Sequence, residues 1–264
     1  MTQLNLADLT VLLIEPSAMQ AKIISNVLRA EGVSKIDFAE TGTDAIRYLT
    51  GCQPDLIISA MYFSDMTAIE LLHSIRAEAQ TQDLNFMLIS SETSFSMIDP
   101  IKQAGVLAVL PKPFNQRDIR LALIAARDTL EVNAIDLADI DIDSLHCLVV
   151  DDSKVARRHM RKLLQSCGID QVSEAENGKE AINMLASMSV DFIITDYNMP
   201  EMNGQELVEY LAQSEYSYLP VLMVTSENDG GKLSAVRQAG GCALFDKTID
   251  PASLRATLSN ALSH

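Results

Sequence analysis

The chain has 264 residues, about two domains' worth, and its 48% hydrophobic and 21% charged residues suit globular domains with real cores. Its formal net charge is −16, and each half, divided at residue 140, sets 10 Lys or Arg against 18 Asp or Glu; such a chain, with no basic stripe, repels phosphate backbones, which argues against nucleic-acid binding. No run nears the ~20 apolar residues that cross a bilayer, Met1–Thr10 has no Lys or Arg of a secretory signal, and four scattered cysteines (Cys52, Cys147, Cys167, Cys242) read as reduced cytoplasmic thiols.

In chain order the apolar runs are TVLLIE at 10–15, PDLIIS at 54–59 and FMLISSE at 86–92, with QAG at 103–105. HCLVVD at 146–151, VDFIIT at 190–195, VLMVTSE at 221–227 and QAG at 238–240 repeat them, at an offset of 136 early and 135 late. Two copies of one fold follow. Runs such as 148–150 and 192–195 read as strands buried on both faces. Between them lie helices: Ser153 is a candidate N-cap, the stripe Val155, Met160, Leu163, Leu164 follows, and Gly168 is a C-terminal stop. Five β-then-α units per copy imply an α/β protein with two doubly wound parallel sheets. The acidic segment 128–144 joins the copies, its Ile135, Leu137, Ile140 and Ile142 alternating; it is an extended linker or the end of a long helix.

In such sheets ligands bind at the C-terminal strand ends. In the second copy these ends carry Asp151-Asp152, Asp196, Thr225-Ser226 and Lys247. Clustered carboxylates repel unless a cation joins them, and hard oxygen ligands with room for water suit Mg²⁺. A carboxylate beside Mg²⁺ can attack phosphorus to give an acyl phosphate, with the metal and a lysine neutralising the transferring charge.

The run VVDDSKVARRHMRKLL, then ITDYNMPEMNG, LMVTSE and the lysine after GCALFD resembles the response-regulator receivers of two-component signalling, chemotaxis-type single receivers above all. The resemblance covers nearly all of both halves. It implies two tandem (βα)5 flavodoxin-like domains with central parallel five-stranded sheets, a first domain at 8–130, a linker at 131–144 and a second domain at 145–264. It implies Asp196 as phosphoacceptor, with Asp152, Asp196 and the backbone carbonyl of Asn198 holding Mg²⁺ and Asp151 assisting. Thr225 would hydrogen-bond the phosphoryl group and Lys247 would pair with it. Asn198 and Glu227 occupy the positions that tune dephosphorylation, and Met199-Pro200 and Gly204 would shape the loop after the third strand. A histidine kinase or histidine phosphotransfer protein would be the donor. The downstream protein is not named, and a homodimer is left open.

Two positions depart from the family. Thr248 stands where a proline usually follows the lysine, and Leu244 where a switching Tyr or Phe is usual, with Phe245 beside it. The basic run Lys154, Arg157, Arg158, Arg161, Lys162 reads as a docking face for an acidic partner or as a solvated helix face. At the matching positions the first copy has Glu15-Pro16, Ala60, Ser90 and Lys112. Ala60 has no nucleophile and Pro16 removes a carboxylate, which leaves Glu15 and Lys112 to form an ion pair. Asp65 is a distant substitute acceptor. The first copy thus reads as a degenerate receiver that binds a partner or serves as a spacer.

The leading function is a phosphorylation switch read through protein contacts. The alternatives are a regulatory fragment of a longer output protein such as a diguanylate cyclase, which the end of the chain just after its last helix requires to be a truncation, and a phosphorylation-independent scaffold. Separate enzymatic turnover is not expected, because aspartate-nucleophile phosphatases need a second Asp where Asn198 stands.

Overall fold

The computed structural model describes residues 5–92, 94–131, 142–225 and 243–262. The chain divides into two compact units, Met1–Glu131 and Val132–His264.

The first unit alternates β1 (Thr10–Ile14), α1 (Ala18–Ala30), β2 (Lys35–Ala39), α2 (Gly42–Leu49), β3 (Leu56–Ala60), α3 (Ala68–Ala77), β4 (Asn85–Ser90), α4 (Phe95–Gln103), β5 (Ala108–Pro111) and α5 (Gln116–Leu130). All neighbouring strands are parallel, in the order β2-β1-β3-β4-β5. Successive side chains of a strand point to opposite faces, so one sheet feeds two apolar layers. Ile57 packs with Leu12 and Phe86 in one layer, whereas Leu56 and Ile58 pack with Val11 and Met87 in the other.

The second unit repeats the plan through β6 (His146–Val150), α6 (Lys154–Ser166), β7 (Gln171–Ala175), α7 (Gly178–Leu185), β8 (Phe192–Asp196), α8 (Gly204–Ala212), β9 (Val221–Thr225), β10 (Ala243–Asp246) and α9 (Pro251–Leu262). Its parallel strand order is β10-β9-β8-β6-β7. Every residue of β8 is buried, as the apolar run implied. Ser153 caps α6 by accepting from Ala156 N, and the helix stops at Gly168, whose φ of 88° suits a residue without Cβ.

The joining segment starts as helix, since α5 runs to Leu130, and it ends in a 3-10 turn at Ile142–Ser144. Residues 132–141, where the choice between linker and helix falls, lie outside the described residues, as do the second QAG repeat, Ser226 and Glu227. Cys52, Cys147 and Cys167 form no disulfide.

Candidate phosphoacceptor site

The parallel ladder carries the second unit's polar residues to one edge. Asp196 is paired with Val224 and Asp246 with Thr225, so β8, β9 and β10 end side by side. Asp151 follows β6, its N–H donating to Ala175 O at 3.1 Å, and Lys247 follows β10, its N–H donating to Thr225 O at 3.1 Å.

Lys247 Nζ donates to Asp151 Oδ2 at 2.9 Å and lies 3.1 Å from Asp196 Oδ2. Asp151, Asp196, Thr225 and Lys247 are all buried, while Asp152 is exposed. One oxygen from each of Asp151, Asp152 and Asp196 falls within 4.8 Å of the others. Burial pushes the Asp196 carboxyl up to about 7; Lys247 opposes the rise and Asp151 adds to it. Burial also raises Asp151, against the pull of Lys247. The same burial disfavours charge on Lys247, but Asp151 and Asp196 outweigh it and hold the ammonium above the usual lysine range.

Asp196 Oδ2 is buried and takes no hydrogen bond, and its separation from Lys247 is that of an ion pair without alignment. That oxygen, facing only the Lys247 ammonium, and two further carboxylates, one open to solvent, fit a hard divalent cation that keeps water ligands. Asn198 is exposed in the loop after β8. Gly204 begins α8 with its N–H on Tyr197 O at 2.9 Å, and a Cβ there would fall on the carbonyl oxygen of Asp196. Only glycine lets the helix start so close to the Asp196 backbone.

Of the basic run on α6, Arg157 and Arg161 turn toward β7. Arg157 is 6% exposed. It donates to Asp151 O at 2.6 Å, to Glu174 at 3.1 Å and to Glu176 at 3.1 Å. Arg161 also turns to Glu174. Arg157 is therefore a support for the Asp151 backbone. The readable signal was the alternation of Glu174 and Glu176 around Ala175 at the end of the neighbouring strand, facing arginines spaced four apart.

In the first unit Glu15 stands where Asp151 does. Its Oε1 accepts from Ser17 N at 3.0 Å, as Asp151 Oδ1 accepts from Ser153 N at 2.8 Å. Lys112 Nζ lies 3.5 Å from Glu15 Oε2, the ion pair expected. Ser90 accepts from Glu92 N at 2.9 Å. Ala60 ends β3 with no side-chain oxygen, and Pro16 lines a groove of 550 Å³ with Glu15, Lys22, Phe38 and Glu40. Asp65 is turned to α2, accepting from Gly42 N, Thr43 N and Thr43 Oγ1, and the Thr43 hydroxyl foremost holds its carboxyl down to about 2. The peptide Lys112–Pro113 is cis.

Among the described residues no helix is long and apolar enough to cross a membrane. A family model described as the response regulator receiver domain matches residues 11–124 and 147–259. A chemotaxis protein CheY homolog of Campylobacter jejuni is 40% identical over 117 residues, which span 44% of this chain and 90% of that protein. Among solved structures, chemotaxis protein CheY4 of Vibrio cholerae is similar with 35% identity over 45% of this chain and 98% of its own, at a TM-score of 0.41. A putative two-component system response regulator/GGDEF domain protein shares 22% identity over 97% of this chain and 98% of its own, at a TM-score of 0.42. With a receiver match in each half, the chain belongs to the response regulator receiver domain family and carries two such domains in tandem.

Proposed function

We propose that the second domain takes a phosphoryl group on Asp196 from a histidine kinase or histidine phosphotransfer protein, while the first domain does not. The observation that carries this reading is the gathering of Asp151, Asp152 and Asp196 around a common point with Lys247 at 3.1 Å from Asp196. A carboxylate oxygen of Asp196 attacks phosphorus, the bond to the donor's imidazole nitrogen breaks, and the nitrogen keeps the electron pair. Asp151, Asp152, Asp196 and the Asn198 carbonyl would hold Mg²⁺, which supplies positive charge to the phosphoryl oxygens. Lys247 is placed to move its pairing from Asp196 to a phosphoryl oxygen. Thr225, buried at the adjacent strand end, offers a hydroxyl to the same group. Arg157 holds the Asp151 carbonyl and so fixes the loop that carries both metal-side carboxylates.

In the first domain Glu15 and Lys112 keep the ion pair without an acceptor, and the domain works through protein contact. Limits of 8–130 and 145–264, a place in the cytoplasm and signalling through a downstream protein belong to the same reading. Asn198 and Glu227 would set how fast the aspartyl phosphate hydrolyses.

Borohydride reduces an aspartyl phosphate to homoserine, which survives peptide mapping. After phosphorylation, homoserine should appear at residue 196 alone. Homoserine at Asp65 or at any other aspartate would overturn the assignment.

A further inference from the structure

The second domain carries an aromatic surface that its acidic site does not use. After α8 ends at Ala212 the chain folds back through short turns, with Gln213 N on Tyr210 O at 3.1 Å, Ser217 N on Ser214 O at 3.3 Å and Leu219 N on Tyr216 O at 3.0 Å. Tyr216 packs on the apolar layer that contains Leu211 and Leu219. Tyr210 and Tyr218 flank it, 44% and 72% exposed. All three tyrosines lie on this helix end and its turns, Tyr210 and Tyr216 each closing a turn through the backbone carbonyl; burial, foremost, and then Glu215 push the Tyr216 phenol up.

This surface lies away from the phosphoacceptor. Residues 213–220 lead into Val221 at the N-terminal end of β9, whereas Asp196 and Thr225 sit at the C-terminal strand ends. It also belongs to one domain only, since the positions 136 residues earlier hold Ser74, Gln80 and Gln82.

Among the described residues from Glu180 to Thr225 no Lys or Arg occurs, and the exposed Glu209 and Glu215 each precede one of these tyrosines in the chain. Carboxylates here repel nucleic-acid backbones and anionic lipid headgroups. Clustered tyrosines give a large, rigid contact area, and the negative face of each ring attracts a guanidinium. Arginine stacks on such rings and forks onto carboxylates better than lysine does. Tyrosine and arginine are also the residues that dominate protein interfaces.

We propose that Tyr210, Tyr216 and Tyr218, with Glu209 and Glu215, form a docking surface for an arginine-bearing protein segment, separate from the site at Asp196.

The test is fluorescence anisotropy of a labelled peptide alternating arginine and alanine, titrated with the full chain. Tyr210→Ala/Tyr218→Ala leaves the charge and the core-packed Tyr216 in place, and circular dichroism checks its fold. Binding should weaken about tenfold in that variant, persist in Tyr210→Phe/Tyr218→Phe, and weaken when lysine replaces arginine in the peptide. Glu209→Gln/Glu215→Gln should weaken binding and flatten its dependence on salt. Equal binding by the Tyr→Ala variant would overturn the proposal, leaving only the attraction of a chain with charge −16. Tyrosine-dependent binding of single-stranded DNA or of anionic phosphatidylserine vesicles, in place of the peptide, would overturn it as well.

Discussion

Lys247 Nζ lies 3.1 Å from Asp196 Oδ2, but its aligned hydrogen bond goes to Asp151 Oδ2 at 2.9 Å. One ammonium thus serves two buried carboxylates, and the Asp196 oxygen it faces is left without a hydrogen bond. The excess negative charge, with Asp152 adding to it from the solvent side, makes the site ready for a divalent cation and costs stability without one.

A pH dependence follows from that cost. Asp196 titrates at an ordinary 3.8 when unfolded and at about 7 in the fold, so between these values the folded chain binds more protons. Stability in the absence of metal should therefore fall as pH rises through this window and level off above it. Thermal melts of wild type and Asp196→Asn, each with and without Mg²⁺, check the sign. The variant should show a shallower fall, and Mg²⁺ should flatten the wild-type curve; identical slopes in all four series would contradict it.

Gly204→Ala would set a methyl group on the carbonyl of Asp196. The backbone must shift, so the variant should lose about 1–3 kcal/mol of stability, and its phosphorylation by acetyl phosphate should slow. Urea unfolding and a time course of labelling measure the two effects.

Arg157→Ala removes a buried cation from Glu174, Glu176 and the Asp151 carbonyl. Glu174 keeps partial solvent contact, so a loss of about 2–3 kcal/mol is expected, below that of a fully buried pair. Urea unfolding reads it. Lys154→Ala, at an exposed position on the same helix, should change stability by less than about 0.5 kcal/mol.

The first domain should resist simple repair. In an Asp196→Ala background, Ala60→Asp alone should take no label from acetyl phosphate, because Pro16 still supplies no metal-side carboxylate. Adding Pro16→Asp should bring Mg²⁺-dependent labelling, with Lys112 freed from its pairing to Glu15 by the new acid. Labelling of Ala60→Asp on its own would show that one carboxylate beside Glu15 is enough.

Much of this was legible in the sequence because strand ends in a parallel sheet are fixed by the apolar runs before them. LVV at 148–150 and FIIT at 192–195, paired in the sheet, place Asp151 and Asp196 on one edge. The repeat then exposes Ala60 and Pro16 as losses. The direction in which a helical charge points is not written so plainly. Arg157 and Arg161 read as surface until β7 places Glu174 beneath them, a contact set by register between elements and not by spacing within one. Likewise the reach of Asp65 depends on the turn that delivers it to α2, and five residues of sequence separation from Ala60 say nothing of that.

Intact-mass analysis of the full chain after incubation with acetyl phosphate and Mg²⁺ tests the central claim most directly. One phosphoryl group should be gained, only with the metal present; Asp196→Ala should gain none, while Ser90→Ala and Lys112→Ala should label as wild type. A gain that persists in Asp196→Ala, or no gain in the wild-type chain, would contradict the assignment of Asp196 as the acceptor.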